Sequence, residues 1–204
     1  MFTSLFFSIV QANPILIEEP GEIQAAMKVN NKIYLFYEDI VKIHEGDLQS
    51  AAILKRPEEI FTGARPAGEK LRIEAALYFG GGRVYLFEGD QALAFDSHPT
   101  EVGIYQFIEA ESGKITERFD LPPYWSHVDA AIRYDVHTIL FFHGPGLLVY
   151  NLHTKRTGRE FPIFQSSYTR LLGKVQLAAA FKGNQQHTVF IPKREGETST
   201  AWGR

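Results

Sequence analysis

Four stretches of this chain share one pattern of apolar and polar positions. In each, a short strand with two adjacent alanines leads through a turn into a strand that is apolar at consecutive positions. The copies are Ile23-Gln24-Ala25-Ala26 with Ile33-Tyr34-Leu35-Phe36, Ile73-Glu74-Ala75-Ala76 with Val84-Tyr85-Leu86-Phe87, and Val128-Asp129-Ala130-Ala131 with Ile139-Leu140-Phe141-Phe142. A degenerate fourth pairs Gln176-Leu177-Ala178-Ala179 with His187-Thr188-Val189-Phe190. The first alanines stand at 25, 75, 130 and 178, at intervals of 50, 55 and 48 residues. A strand repeat of about 40 to 50 residues has the size of a propeller blade. The second strand of each copy breaks the usual inside-outside alternation, as a strand covered on both faces does. The alanine pairs fit the innermost strands, where four chains converge and only small side chains leave room. Asn30-Asn31, Gly80-Gly81-Gly82, Asp135 and Gly183-Asn184 supply the turns between first and second strands.

Further strands follow each pair. Residues 40–44 and 51–54 continue the first copy, and Arg56-Pro57-Glu58-Glu59 reads as a short helical turn with proline and acids early. Residues 62–70 form a loop. In the second copy the third strand is expected at 104–109, with 91–96 as the alternative, and residues 114–119 as a strand after Ser112-Gly113. The third copy continues through 147–151 and 161–164, then a short helix at 166–172. The fourth has a strand at 188–191, a turn at Glu195-Gly196 and a strand at 198–202, which leaves no outer strand. An uncovered strand edge invites mispairing. Residues 2–10, rich in β-branched and aromatic side chains, are expected to cover it.

The residues resemble the hemopexin-like repeat, whose pattern is an acid before Ala-Ala and an aromatic strand ending in a turn such as Phe-x-Gly-Asp. Glu74-Ala75-Ala76 with Phe87-Glu88-Gly89-Asp90 matches it, as does Asp129-Ala130-Ala131 preceded by Leu121-Pro122-Pro123-Tyr124-Trp125-Ser126-His127. Gln24 and Leu177 depart from the acidic position. The resemblance spans roughly residues 20–202 and implies an all-β, four-bladed β-propeller. Residues 1–204 then form one domain, with blades at about 20–70, 71–125, 126–173 and 174–204 plus 1–12. It also implies an axial channel whose ions are held by main-chain carbonyls. Carried over, these belong to Gln24, Glu74, Asp129 and Leu177, and to Ala26, Ala76, Ala131 and Ala179. Calcium, sodium or chloride would be the ion, and no other cofactor is required. Calcium is the weakest of these candidates because two of the four acids are missing.

Composition narrows the partners. The chain has 204 residues with a net charge of −3, which does not mark a nucleic-acid binder. It has no cysteine, so a disulfide, a thiolate metal site and a thiol nucleophile are excluded. No stretch approaches the ~20 apolar residues that span a bilayer, so no membrane partner is expected. Residues 1–12 have a short apolar run but no basic n-region. The expectation is therefore a closing strand in a cytoplasmic protein, with secretion through a short leader as the competing reading.

Candidate chemistry is sparse. Gly80-Gly81-Gly82 lies between two strands and lacks the helix a phosphate loop needs. His137 and His143 lie six residues apart on one strand, about 20 Å at a ~3.3 Å rise, too far to share a metal. Glu74 and Asp129 occupy equivalent positions and would converge near the axis, where they could attract a cation or a polyamine. The competing reading has them accept backbone N–H bonds and lock adjacent blades. His127 stands near the channel mouth and Trp125 beside it, as ligand contacts or as a loop hydrogen-bonder and a core aromatic. The favoured function is a non-enzymatic binding module that takes a small molecule, polyamine-like or other, or a protein, with homodimerisation through strand edges as a further option. The alternative is a small enzyme with Glu74, Asp129 or His127 as acid or base on a small substrate.

Overall fold

The computed structural model describes residues 22–66 and 69–162 together with strands at 4–5, 7–8, 16–17, 177–182 and 188–192. Three two-residue strands come first, Ser4–Leu5 (β1), Phe7–Ser8 (β2) and Leu16–Ile17 (β3), with β1 antiparallel to β3. The first main sheet is a meander of β4 (Ala25–Val29), β5 (Lys32–Phe36), β6 (Val41–Glu45) and β7 (Ile53–Lys55). A 3-10 turn at Pro57–Glu59 leads to β8 (Phe61–Thr62). The second sheet holds β9 (Ala75–Gly80), β10 (Arg83–Glu88), β11 (Gln91–Ser97) and β12 (Tyr105–Phe107) in that order. Its outer edge is finished by β8, parallel to β12, while β13 (Gly113–Lys114) pairs with β11. After the helical turn α1 (Ile115–Arg118) come β14 (Ala130–Arg133), β15 (Thr138–His143) and β16 (Gly146–Asn151). Both β17 (Arg156–Thr157) and β18 (Phe161–Pro162) pair with β16. The last sheet is β19 (Leu177–Lys182), β20 (Thr188–Pro192) and β2. The chain is thus all-β, and each of its four main, largely antiparallel sheets has an alanine-pair strand at one edge.

The consecutive apolar run of each second strand is explained by what its two faces touch. Val84 and Leu86 enter the core shared with the first sheet, while Tyr85 and Phe87 enter the core shared with the third. In β5, Tyr34 and Phe36 face the second sheet, while Ile33 and Leu35 face the fourth. In β15, Ile139 and Phe141 face the second sheet, and Leu140 and Phe142 the fourth. Burial of each such side chain is worth about 1.5–3 kcal/mol, so the run itself is a strong determinant of the fold. Aromatic wedges fill the two gaps on either side of the second sheet. Phe61 lies 5.9 Å from Phe36 and 5.3 Å from both Phe95 and Tyr105, and Phe119 lies 5.0 Å from Tyr85 and Phe141.

The alanine strands pack on one another. β4 lies against β9, β9 against β14, β14 against β19, and β19 against β4. Within each pair the two alanines face different neighbours. Ala25 and Ala76 meet in one core, Ala75 and Ala131 in the next. Ala130 then meets Ala180, and Ala26 meets Ala179. By this facing pattern the fourth pair is Ala179-Ala180, one residue later than the Ala178-Ala179 read from the sequence. A triple alanine offers no internal landmark, and a register irregularity between Leu177 and Ala179 supplies the slip.

Three other expectations change. The third strand of the second sheet is β11, because Gly89-Asp90 makes a two-residue turn straight into it, and 105–107 forms the fourth. Residues 115–118 form a helical turn rather than a strand, with the Phe119 N–H bonded to the Ile115 carbonyl. The N-terminal segment does cover the last sheet, but at β20, with Phe7 opposite Phe190 and Ser8 opposite Val189. It takes the third position rather than the outer fourth. The strand expected at 198–202, the helix at 166–172 and Trp202 lie outside the described residues.

Arg133 joins the hairpin ends of two sheets. Its guanidinium donates to the Phe79 carbonyl of the second sheet and to the Asp135 and Val136 carbonyls of the third. It fits only because Gly80, at φ +109°, has no Cβ in the space the guanidinium occupies. Gly80→Ala is expected to cost about 2 kcal/mol or more, from positive φ and from the collision. Urea denaturation measures this, and adding Arg133→Ala should recover part of the loss by removing the collision. Deleting residues 1–12 uncovers β20 and should lower the thermal midpoint by several degrees, as a ~1 kcal/mol loss would. An unchanged midpoint would show that β20 needs no such cover.

Candidate functional site

The end of the third sheet gathers the most chemically varied side chains among the described residues. Its origin is a turn. β15 and β16 are joined by Gly144-Pro145, with Gly144 at φ +52°, and the Asp129 carboxylate accepts the Gly144 N–H at 2.5 Å. The Asp129 N–H donates to the Phe142 carbonyl at 2.8 Å, which holds Asp129 at the start of β14. Ala130 stands opposite Phe142, so the register carries Asp129 opposite His143. His127, two residues earlier, returns to the same side, and its Nε2 lies 3.4 Å from Asp129 Oδ1. The imidazoles of His127 and His143 meet edge to face with centroids 4.4 Å apart. One donor atom from each of His127, Asp129 and His143 lies within 4.8 Å of the others.

Aromatic packing closes the inner side. Trp125 is 1% exposed, and its ring centre lies 5.2 Å from that of His143. Its Nε1–H donates to Glu160 Oε2 at 3.3 Å, and the Tyr124 hydroxyl donates to the same oxygen at 2.7 Å. That hydrogen bond holds the Tyr124 phenol above its ordinary ionisation range. The Glu160 carboxylate lies over Gly146, where any Cβ would collide with it. Ser126 Oγ sits 3.2 Å from His127 Nδ1.

Glu74 repeats the turn in the second sheet. Its N–H donates to the Phe87 carbonyl at 2.9 Å and its carboxylate accepts the Gly89 N–H at 3.1 Å, with Gly89 at φ +54°. The residue across from it is Glu88, which pairs with Arg65. In the first sheet the Gln24 N–H donates to the Phe36 carbonyl in the same way, but the turn at 37–40 has no glycine and Gln24 no carboxylate. The acid before Ala-Ala is therefore a turn cap. In the second and third sheets it accepts a backbone N–H of its own sheet.

Of the residues singled out in the sequence, His127, Asp129 and Trp125 come together here. Glu74 lies in the equivalent turn one sheet away. Gln24, Glu74 and Asp129 immediately precede three strands that pack side by side, with Ala26, Ala76 and Ala131 buried behind them. Leu177 and Ala179 are displaced by one from the facing positions of the other three copies, which in the fourth strand fall at 178 and 180. His143 was missed as a partner of His127, although pairing Ala130 with Phe142 in the sequence repeat would have placed it across from Asp129. Glu160 carried no signal, being brought in by the irregular segment between β17 and β18. Trp125 is core, as its competing reading held, with a polar edge that holds Glu160.

The buried Asp129 should matter more than the half-buried Glu74. Asp129→Ala is expected to lose about 2–3 kcal/mol and Glu74→Ala about 1 kcal/mol, since hydrogen bonds to charged groups are worth about 1.5–3 kcal/mol and exposure weakens them. Denaturant midpoints of the two variants compare them directly, and equal losses would show that the turn caps are interchangeable.

No protein-family profile matches the chain, and no curated protein matches it in sequence. Solved structures do match in shape. A hemopexin fold protein from cow pea, CP4, superposes with TM-score 0.70 at 16% identity over 85% of this chain and 83% of that one. A 2S albumin seed protein from Dolichos gives 0.68 at 17% over 84% and 82%. A plant lectin with two metal binding sites from Cicer arietinum gives 0.67 at 16% over 90% and 92%.

Proposed function

The chain has a hemopexin-like fold. From it, we propose that the four sheets are the blades of a four-bladed β-propeller and that the protein is a non-enzymatic binding module. One observation carries the reading: the four alanine strands pack each on the next, and the last on the first. In a propeller this makes Gln24, Glu74 and Asp129 neighbours around one end of the axis. Their main-chain carbonyls and those of the alanines behind them would hold a channel ion, calcium, sodium or chloride. Two carboxylates at that mouth favour a small cationic ligand with spaced amines, a polyamine, over an anion. The seed albumin and lectin neighbours support a binding role over a catalytic one. A protein ligand, or a second copy of the chain, would use the same end or the strand edges.

The enzyme reading has less behind it. The carboxylates of Glu74 and Asp129 already accept turn N–H groups, which restrains them as acids or bases. A cavity of about 400 Å³ lies by the first sheet, but Glu38, Asp39, Glu58, Glu59 and Lys70 line it, and none of the candidate acids or bases does. No helix among the described residues is long and apolar enough to cross a membrane.

Native mass spectrometry of freshly isolated protein tests the binding role, followed by calorimetric titration with spermine. A single-site complex is expected, with affinity reduced about 5- to 10-fold in Glu74→Gln, the loss of roughly 1 kcal/mol of screened attraction. Absence of any retained small molecule, together with no heat on adding spermine, would overturn the polyamine reading.

A further inference from the structure

We infer that His127, Asp129 and His143 form a three-ligand site for a borderline first-row divalent cation, zinc or a metal that replaces it, with the fourth position open. The site shares Asp129 with the proposed channel mouth but takes its side-chain carboxylate, with two imidazoles, rather than main-chain oxygens. Main-chain oxygens suit hard ions, whereas two imidazoles with one carboxylate suit zinc, cobalt, nickel or copper. Calcium, which takes six to eight oxygens, has too few here.

The geometry is close to what such an ion needs. Metal bonds of about 2.0–2.1 Å in a tetrahedron separate neighbouring donors by about 3.3 Å. His127 Nε2 and Asp129 Oδ1 are already 3.4 Å apart. All three donors lie within 4.8 Å of one another, so the remaining separations must close by about 1.5 Å at most to reach the tetrahedral value.

The supports are in place as well. The Gly144 N–H fixes one Asp129 oxygen and leaves the other toward His127. A His127 Nδ1–H donating to Ser126 Oγ would present the Nε2 lone pair to the ion, the outer-shell arrangement that fixes an imidazole tautomer. His143 is set by the strand and packed by Trp125, while the His127 side chain is 35% exposed and gives an entry path. Bound M²⁺ with a single carboxylate leaves the centre net positive. The open position would therefore take water or an anionic donor from a ligand, such as a carboxylate or a phosphate oxygen.

None of this requires the ring of sheets or a polyamine, because the third sheet, its β15–β16 turn and the loop leading into β14 set the three residues. The full chain is stripped with chelator, then titrated with Zn²⁺ by calorimetry and with Co²⁺ by visible absorbance. One equivalent of each should bind at one site, and Co²⁺ should give the intense d–d bands of a low-coordinate centre that added Zn²⁺ abolishes. His127→Ala and His143→Ala should each weaken binding by about 100-fold or more, and Ser126→Ala by about 10-fold, the range for outer-shell partners. His127→Ala changes a partly exposed residue outside any strand, so it tests the site if His143→Ala does not fold. His137→Ala, on an exposed position of the same hairpin, should change nothing. Failure of both metals to bind, or binding that survives His127→Ala, would overturn the assignment.

Discussion

Everything in this fold depends on how closely four strands can approach one another. Alanines from neighbouring first strands meet in the same cores, Ala25 with Ala76, Ala75 with Ala131, Ala130 with Ala180 and Ala179 with Ala26. A methyl group is the largest side chain that such a convergence accepts, and each extra methylene in a full interior forces costly shifts. Larger residues must therefore move outward along each sheet. The second strands supply them, with two residues to each side. Phe61 and Phe119 then complete the two cores on either side of the second sheet.

The same constraint explains which parts could be read in the sequence. Alanine pairs and consecutive apolar runs are forced by packing on two faces, so they recur clearly in the first three copies and mark where each main sheet begins. Turns with glycine were legible for a similar reason, since Gly89 and Gly144 adopt positive φ that other residues avoid. The fourth copy misled because Ala178-Ala179-Ala180 can be aligned in two registers, and no volume difference chooses between them. The third strand of the second sheet misled for a different reason. Gln91-Ala92-Leu93-Ala94 gives a weak signal because the side chains that β11 turns to the third sheet are only alanines, Ala92 and Ala94, while Leu93 and Phe95 face the first.

The candidate site was half legible. Asp129 followed from its place before the alanines, and His127 from its nearness to it. That Asp129 accepts a backbone N–H was legible, but its partner Gly144 was not, because a sequence shows that an acid recurs but not which N–H it meets. His143 was compared with His137, which lies in the turn before β15 and not on it, although in a hairpin the closer partner is the residue across. Glu160 could not be found at all. It reaches Trp125 and Tyr124 through the segment between β17 and β18, whose path no periodicity constrains.

The three described turns show how a repeat can separate structure from chemistry. In each, the residue before the first alanine donates its N–H to the carbonyl of the aromatic that ends the second strand, from Gln24 to Phe36, Glu74 to Phe87 and Asp129 to Phe142. That backbone bond is indifferent to side chains, so it holds while they vary. What stands across from that residue is then free to differ: Tyr37 in the first sheet, Glu88 in the second, His143 in the third. Tyr37 is buried, and burial pushes its phenol up to about 12, so it stays neutral and serves packing. Glu88 is tied to Arg65 and serves an ion pair. Only His143 meets a second imidazole and a carboxylate held by the turn, with an indole behind it. Function in such a fold need not disturb the repeat, since one frame presents a different pair of side chains at each turn, and the third turn is where nitrogen and oxygen donors converge.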